Sequence, residues 1–394
     1  MNPELYERYL AKKAKKLGIS VEELKAQNAP SLSNPEVSQP AQPSEPQYVQ
    51  QTIQSQLEQQ TVEPVMQPET VKTEVPSYIF GPSRMEENNA QNSTVSYSTS
   101  PVNYEQPVTI NDTRENKFAL IGYPLGHSLS KVIHEAGFKS LGIEKASYDI
   151  LETPPEELVD RIKSLKSEGY KGFNVTIPLK LPVSLFVNEV DKYADLARAV
   201  NTVYIEADKS LKAYNTDVIG FRRAIPKDID LRGKSVAILG TGGAAHAACV
   251  ALSELGVKRI DFFTRNIPNS IDLMNYVRRQ FPSITFDVYQ IENIRSLSEY
   301  DMVVNTTPIG MLGKAGDMMP IEIDALQTLK PDAIVYDVIY NPRKTVLIKA
   351  CEKLNLRTIT GLDMLIYQAV AAQEIWFGNT PDFKDMKIAA LEAL

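Results

Sequence analysis

Only two cysteines, Cys249 and Cys351, occur in 394 residues. They lie too far apart for zinc-ligand spacing and are too few for a disulfide framework, so a reducing, cytoplasmic setting is expected and no metal site. No apolar run approaches the ~18–20 residues that span a bilayer. Lys12, Lys13, Lys15 and Lys16 interrupt the stretch where a signal-peptide core would stand. Positive charge is not in excess either: 42 Lys and Arg face 49 Asp and Glu, a net charge of −7. That excludes the broad basic face that nucleic acid requires. Histidine is scarce, with three in the chain. None stands in a Ser/His/Asp constellation, so His127 reads as structural and His134 and His246 as ordinary helix residues.

Glycine is missing mainly from one end. Residues 1–115 hold 2 of the 19 glycines but 12 of the 25 prolines. They also carry 15 acids against 9 bases, which places −6 of the net −7 there. Tyr6, Leu10, Ala14 and Leu17 form a helical stripe within 2–27, and Ser20 with Glu23 fits a capping box. That short helical segment is either a solvated hairpin or a docking site for a protein partner. Residues 28–115 are rich in Pro, Gln, Ser and Asn, with too few apolar groups to offset the entropy of ordering, and are expected to be disordered. Tyr78, Ile79 and Phe80 form their one apolar patch. The other 279 residues carry 34 acids and 33 bases, a near-neutral body long enough for two small domains.

Strand and helix patterns alternate through this body, the mark of an α/β protein. FALIGY, ASYDILE and GFNVTIP read as strands, with helices at 131–141 and from Pro154 to Gly169 between them. NEVDKYADLARAV reads as a helix, followed by the strands VNTVYIEA and SLKAYNTD. SVAILG, RIDFFTR, 301–306, 333–340 and LRTITG read as further strands, with helices at 243–255 and 345–354. Residues 363–377 and 382–392 read as amphipathic helices.

GTGGAA follows the strand SVAIL and opens a helix. Gly240, Gly242 and Ala245 fit the G-x-G-x-x-[GA] spacing: a tight turn, close backbone approach to a pyrophosphate, and close helix–strand packing. The helix N-terminus adds free N–H groups and a favourable dipole. A dinucleotide site is expected there rather than a plain tight turn. An NAD site places an acid at the tip of the next strand. Here that tip reads Thr264, Arg265 and Asn266. Arg265 suits a 2′-phosphate and Thr264 adds a hydroxyl, which favours NADP. The alternative is a surface arginine at a strand end.

Polar clusters gather at the edges of the other elements. Asn174, Thr176 and Lys180 stand in FNVTIPLK, Asn201 and Thr202 in AVNT, and Asn215, Thr216 and Asp217 in YNTD. Each alone is as readily a turn cap. A lysine can donate a proton beside a carbonyl or stabilise the developing oxyanion, and an aspartate can orient it; Lys180 and Asp217 are the candidates. Ser128 and Ser130, between the first strand and its helix, are placed to bind a carboxylate, although an N-cap role would account for one of them. Asp337 reads as a hydrogen-bond acceptor at a sheet end.

GYPLGHSLS, NVTIPLK, AVNT, NTD, GTGGAA, VNTTPIGM, YDVIY and GLDMLIYQA occur in this order, and together they resemble the shikimate dehydrogenase family over about residues 117–379. The resemblance implies an N-terminal α/β substrate domain (116–216, completed by 362–394) and a Rossmann-like NADP domain (217–361). It also implies Lys180 and Asp217 as the catalytic pair. Ser128, Ser130, Thr176, Asn201, Asp217, Tyr340 and Gln368 match substrate-contacting positions. Gly240, Thr241, Gly242, Gly243 and Ala244 match the pyrophosphate loop, and Thr264, Arg265 and Asn266 the adenosine-phosphate loop. Val338 and Gly361 match the lining of the nicotinamide site. The implied activity is NADP-dependent interconversion of 3-dehydroshikimate and shikimate, in the biosynthesis of chorismate and the aromatic amino acids. One departure stands out. The family's adenosine-phosphate loop usually begins Asn-Arg-Thr and carries a second arginine, whereas TRNIPNS has Arg265 alone. That implies a weaker NADP preference or acceptance of NAD. Two rival functions follow: a quinate/shikimate dehydrogenase on NAD, and a non-catalytic ligand sensor whose tail binds a partner. An intact Lys180 and Asp217 argue against the second.

Overall fold

A computed structural model describes residues 115–126, 128–313 and 315–394 together with Ser20, the side chains of Asn269 and Asp272 excepted. The helical segment expected at 2–27, the disorder expected over 28–115 and the patch at Tyr78, Ile79 and Phe80 fall outside the described residues, Ser20 and Glu115 apart. All that follows lies within the unit Ile79–Leu394.

The first sheet has the order β2-β1-β3-β5-β6-β4. Its strands are β1 (Asn116–Gly122), β2 (Ala146–Glu152), β3 (Gly172–Val175), β4 (Glu189–Val190), β5 (Thr202–Ile205) and β6 (Leu211–Tyr214). Helices α1 (Ser130–Ser140), α2 (Leu158–Ser167), α3 (Lys192–Ala197) and α4 (Thr216–Ala224) follow β1, β2, β4 and β6. β1 runs parallel to β2 and β3, while β5 is antiparallel to β3 and β6. The two-residue period of β1 sends alternate side chains to opposite faces. Phe118 and Leu120 join Phe138 and Trp376, and Ala119 and Ile121 join Leu158, Ile162 and Phe173.

The second sheet is wholly parallel, in the order β12-β11-β10-β7-β8-β9. Its strands are β7 (Ser235–Leu239), β8 (Arg259–Thr264), β9 (Thr285–Gln290), β10 (Met302–Asn305), β11 (Ile334–Asp337) and β12 (Arg357–Thr360). α5 (Gly243–Glu254), α6 (Ile267–Gln280), α7 (Ile323–Gln327) and α8 (Val346–Lys353) connect them. Every residue of β7, β10 and β11 is buried, as a parallel sheet covered on both faces requires. The strand order reverses between β7 and β10. The crevice outside the carboxyl ends of such strands is where doubly wound sheets take ligands.

The chain closes with α9 (Gly361–Phe377) and α10 (Phe383–Glu392). α9 is not the amphipathic helix expected of 363–377: 13 of its 17 residues are buried. It contributes Met364 and Ala371 to the core of the second sheet, and Ala372, Ile375 and Trp376 to a core of the first. A helix buried on all sides cannot show a polar stripe. Two glycines allow the approach. A Cβ on Gly220 of α4 would lie 2.7 Å from Met364 O, and one on Gly172 would lie 2.5 Å from Trp376 Nε1. Trp376 stacks on Phe118 with ring centroids 4.3 Å apart and donates its Nε1–H to Val203 O at 3.3 Å.

Other expectations are corrected locally. NEVDKYADLARAV is not one helix. Glu189 and Val190 pair with β6, Asp191 caps α3 by accepting from Ala194 N at 2.7 Å, and Arg198 (φ 51°) ends it after six residues. The strand GFNVTIP stops at Val175, where the chain turns. YNTD does not merely end a strand: Asn215 caps α4, and Thr216 and Asp217 form its first turn. α6 and β9 were absent from the sequence-based assignment.

Candidate active site

Lys180 sits in the turn after β3, and Asp217 in the first turn of α4. The fold brings these side chains, 37 positions apart, to an Nζ–Oδ2 distance of 2.5 Å. They are 18% and 11% exposed, so the pair is largely shielded yet open on one side. Lys180 O accepts from Val200 N at 2.9 Å, which ties the lysine's turn to the start of AVNT.

A buried polar network holds these loops together. Tyr148 OH donates to Asn174 Oδ1 at 2.7 Å, and Asn174 Nδ2 donates to Thr202 Oγ1 at 2.9 Å. Asn201 Oδ1 accepts from Thr216 N at 2.7 Å, and Asn201 Nδ2 donates to Thr216 Oγ1 at 3.0 Å. Asn215 donates to Ala199 O at 2.8 Å while its Oδ1 accepts from Val218 N at 3.3 Å. Each buried amide is thereby satisfied, and the neighbour of Asp217 is fixed from two sides. Asn201 is 3% exposed and belongs to this scaffold.

Ser128 and Ser130 stand at the start of α1. The Ser128 hydroxyl donates to Ser130 Oγ at 3.1 Å and accepts from Ser130 N at 3.2 Å. Neither is the N-cap; that position is Leu129, which makes no side-chain cap bond. Both hydroxyls are half-buried. Tyr340, beyond β11, packs on the cluster of Leu129, Ile133, Leu362 and Ile366, so a second-sheet loop reaches the serines' helix. Burial pushes its phenol pKa upward. Gln368 on α9 is 9% exposed, donates to Leu365 O at 2.7 Å and lies against Gly220, one turn along α4 from Asp217. His127 lies outside the described residues. His134 is buried, and its Nδ1 accepts from Gln373 Nε2 at 3.2 Å; His246 Nδ1 contacts Ala197 O at 2.7 Å. Asp337 accepts from Asn305 Nδ2, Ile339 N and Thr345 Oγ1 at 3.0, 3.1 and 2.7 Å; burial raises its pKa to about 6.

A cavity of about 880 Å³ runs from Thr176 and Lys180 past residues 240–244 to Thr264, Arg265 and Asn266. Its volume suits a dinucleotide. Gly240 adopts φ +100°, and a Cβ there would lie 2.8 Å from Thr306 Oγ1. Space over Gly242 is open: a Cβ there meets nothing within 4 Å. α5 begins at Gly243 and runs for twelve residues, so its free N–H groups face this opening. The residues present therefore fit a pyrophosphate. Thr241 Oγ1 lies 3.3 Å from Thr264 Oγ1, and Asn266 N donates to Thr264 Oγ1 at 3.2 Å. Lys180 borders the same loop, its Cδ 3.3 Å from where a Cβ of Gly243 would be. Gly361 has no room for a side chain, because a Cβ would overlap Val338 O. Gly361→Ala is expected to cost about 1–3 kcal/mol by overpacking against backbone, read as the free energy of urea unfolding; an unchanged value would contradict the close approach.

A family model described as shikimate dehydrogenase substrate binding domain matches residues 120–203, and one described as shikimate 5'-dehydrogenase C-terminal domain matches 361–391. The shikimate dehydrogenase (NADP(+)) of Caldanaerobacter subterraneus subsp. tengcongensis is 37% identical over 270 residues, 68% of this chain and 94% of that protein. The chain belongs to the shikimate dehydrogenase family. Among solved structures, a shikimate dehydrogenase in complex with NADP+ superposes with a TM-score of 0.65 at 35% identity, covering 71% of this chain and 95% of that one. A quinate dehydrogenase from Corynebacterium glutamicum in complex with NAD gives a TM-score of 0.65 at 28% identity, covering 71% and 99%.

In this member of the shikimate dehydrogenase family, the cavity gathers Thr176, Lys180, the glycine loop and the Thr264–Arg265–Asn266 tip. Ser128, Ser130, Asn201, Asp217, Tyr340, Gln368, Val338 and Gly361 are not walls of that cavity; Asp217 reaches it through Lys180. Sequence reasoning missed several wall residues. Thr306, whose hydroxyl donates to Leu239 O at 2.6 Å, and Thr307 stand in VNTTPIGM, so a signal for them was present. Ile177 and Leu181, 73% and 53% exposed, flank Lys180. Arg295 had no sequence signal at all. No helix among the described residues is long and apolar enough to cross a membrane.

Proposed function

We propose that this chain is an NADP-dependent shikimate dehydrogenase, reducing 3-dehydroshikimate reversibly to shikimate. The observation that carries the reading is the Lys180–Asp217 contact at 2.5 Å beside the open glycine loop. The first sheet with α9 and α10 forms the substrate domain, and the second sheet the cofactor domain. Residues 240–244 hold the pyrophosphate, Thr264, Arg265 and Asn266 the adenosine phosphate, and Val338 and Gly361 border the nicotinamide. When bound, the nicotinamide supplies the hydride for the ring carbonyl. Lys180, held by Asp217, gives a proton to the developing alkoxide oxygen and stabilises its charge on the way. Asp217 accepts from a neighbouring ring hydroxyl. Ser128 and Ser130 hold the substrate carboxylate with hydroxyl donors; Thr176, Asn201, Tyr340 and Gln368 complete the ring contacts.

The absence of an acid after β8 and the presence of Arg265 favour NADP over NAD. A cytoplasmic location goes with this reading, supported by two buried, unpaired cysteines. A protein partner for residues 1–115 would act apart from catalysis. Steady-state oxidation of shikimate and quinate, each with NADP and NAD, tests these points on the full chain and on one starting at Asn116. Shikimate with NADP is expected to give the highest kcat/KM, with equal rates for both chain lengths. A preference for quinate with NAD would support the rival dehydrogenase. No turnover with any pair at high enzyme concentration would support a ligand sensor.

A further inference from the structure

Two arginines line one cavity because of how the second sheet is ordered. β8 and β9 are parallel neighbours with Thr264 opposite Gln290, so the segments that leave them emerge side by side. Arg265 follows β8 directly. Arg295 follows the single 3-10 turn Ile291–Asn293 that leaves β9. Both are exposed, and both line the cavity that contains residues 240–244. Arg295 is anchored by one arm: Nη1 donates to Glu292 O at 2.7 Å and to Ile294 O at 3.1 Å. Its remaining N–H groups, and the whole Arg265 guanidinium, have no partner among the described residues. Two carboxylates, Glu292 and Glu322, line the same cavity. The Gln290 amide, oriented to satisfy its neighbours, donates to Glu292 Oε2 at 3.3 Å and to Thr264 O at 3.0 Å, which holds that acid toward the strand edge.

A phosphate monoester carries nearly two negative charges at neutral pH, and a planar guanidinium engages two of its oxygens. A second cation with free donors on the same cavity completes the site. We infer that Arg295 is a second clamp for the 2′-phosphate of the cofactor's adenosine, shared with Arg265, and that it helps set preference for the phosphorylated cofactor. This rests on the NADP reading above. It supplies from a different strand end the cation that the β8 loop lacks.

Isothermal titration calorimetry with 2′,5′-ADP and 5′-ADP, on the intact chain without substrate, separates the possibilities. The unsubstituted chain is expected to bind 2′,5′-ADP more tightly. Arg295→Ala is expected to weaken 2′,5′-ADP by about ten- to a hundredfold, the range of a charged hydrogen bond, and to leave 5′-ADP within about twofold. Arg295→Lys should recover part of the loss, because it restores charge without the fork. Should the alanine variant not fold, Arg295→Gln reads the same ratio. An unchanged ratio, or equal weakening of both ligands, overturns the role of Arg295 while leaving the NADP reading standing. If the unsubstituted chain itself shows no preference for 2′,5′-ADP, the NADP reading fails first, and the inference with it.

Discussion

Lys180→Ala is expected to lower kcat by roughly 10²–10⁴-fold, the usual range for a positioned acid or oxyanion donor, with KM changed only a few-fold. Lys180 meets Asp217 at 2.5 Å and borders the glycine loop; in the proposed mechanism its ammonium faces the reacting oxygen. Its bond to that oxygen strengthens as charge develops, so deletion falls on the transition state more than on the bound substrate. The loss should therefore appear almost equally in kcat and kcat/KM. Lys180→Met, which keeps an apolar stem, controls for packing beside Leu181. Near-normal turnover of shikimate by either variant would remove the lysine from the mechanism. A rise in KM alone would make Lys180 a binding group instead.

Acid should destabilise this protein through His134. The ring is fully buried, stacked on Tyr148 with centroids 4.3 Å apart, and accepts at Nδ1 from Gln373. Its proton then resides on Nε2, which has no partner among the described residues. Burial lowers its pKa from 6.5 to about 3. Between those values the unfolded chain binds the proton and the folded one does not, so stability falls as the pH drops from about 6.5 toward 3. The full effect is on the order of 4–5 kcal/mol at the acid limit. Asp191 and Asp337 act in the opposite sense. Burial raises each from 3.8 to about 6, so their contribution is present below pH 4 and is lost as the pH rises through 6. Comparison with His134→Gln removes the aspartates from the account. The variant is expected to be less stable at pH 7, and the gap in urea unfolding free energy should narrow steadily toward pH 4. A gap independent of pH would show that His134 does not titrate on unfolding.

How much of the site was legible depended on how local the requirement was. The glycine loop was readable because Gly240 must take a positive φ and Gly242 must leave open space, both properties of a few consecutive residues. The buried strands β7, β10 and β11 were readable as apolar runs. α4 was not, because its first turn is polar and Asn215 and Asp217 resemble a loop until Asn215 is seen to cap it. Residues 363–377 read as amphipathic, with Gln368, Gln373 and Glu374 among them. In the fold, Gln368 and Gln373 are buried between neighbouring elements, and Glu374 pairs with Arg223 at 2.9 Å.

The chain's own order of residues determined that it is an α/β protein with a glycine-rich turn after β7. It also held, in eight short motifs, the family to which it belongs. Those features rest on local backbone preference and side-chain period, which act over a few residues. Tertiary structure decided which side chains meet. Lys180 reaches Asp217 because the turn after β3 is tied to AVNT, and Asn201 grips the first turn of α4. Arg295 lines the same cavity as Arg265 because β9 lies next to β8. Strand order and loop docking bring together residues far apart in sequence, and no local rule fixes that choice.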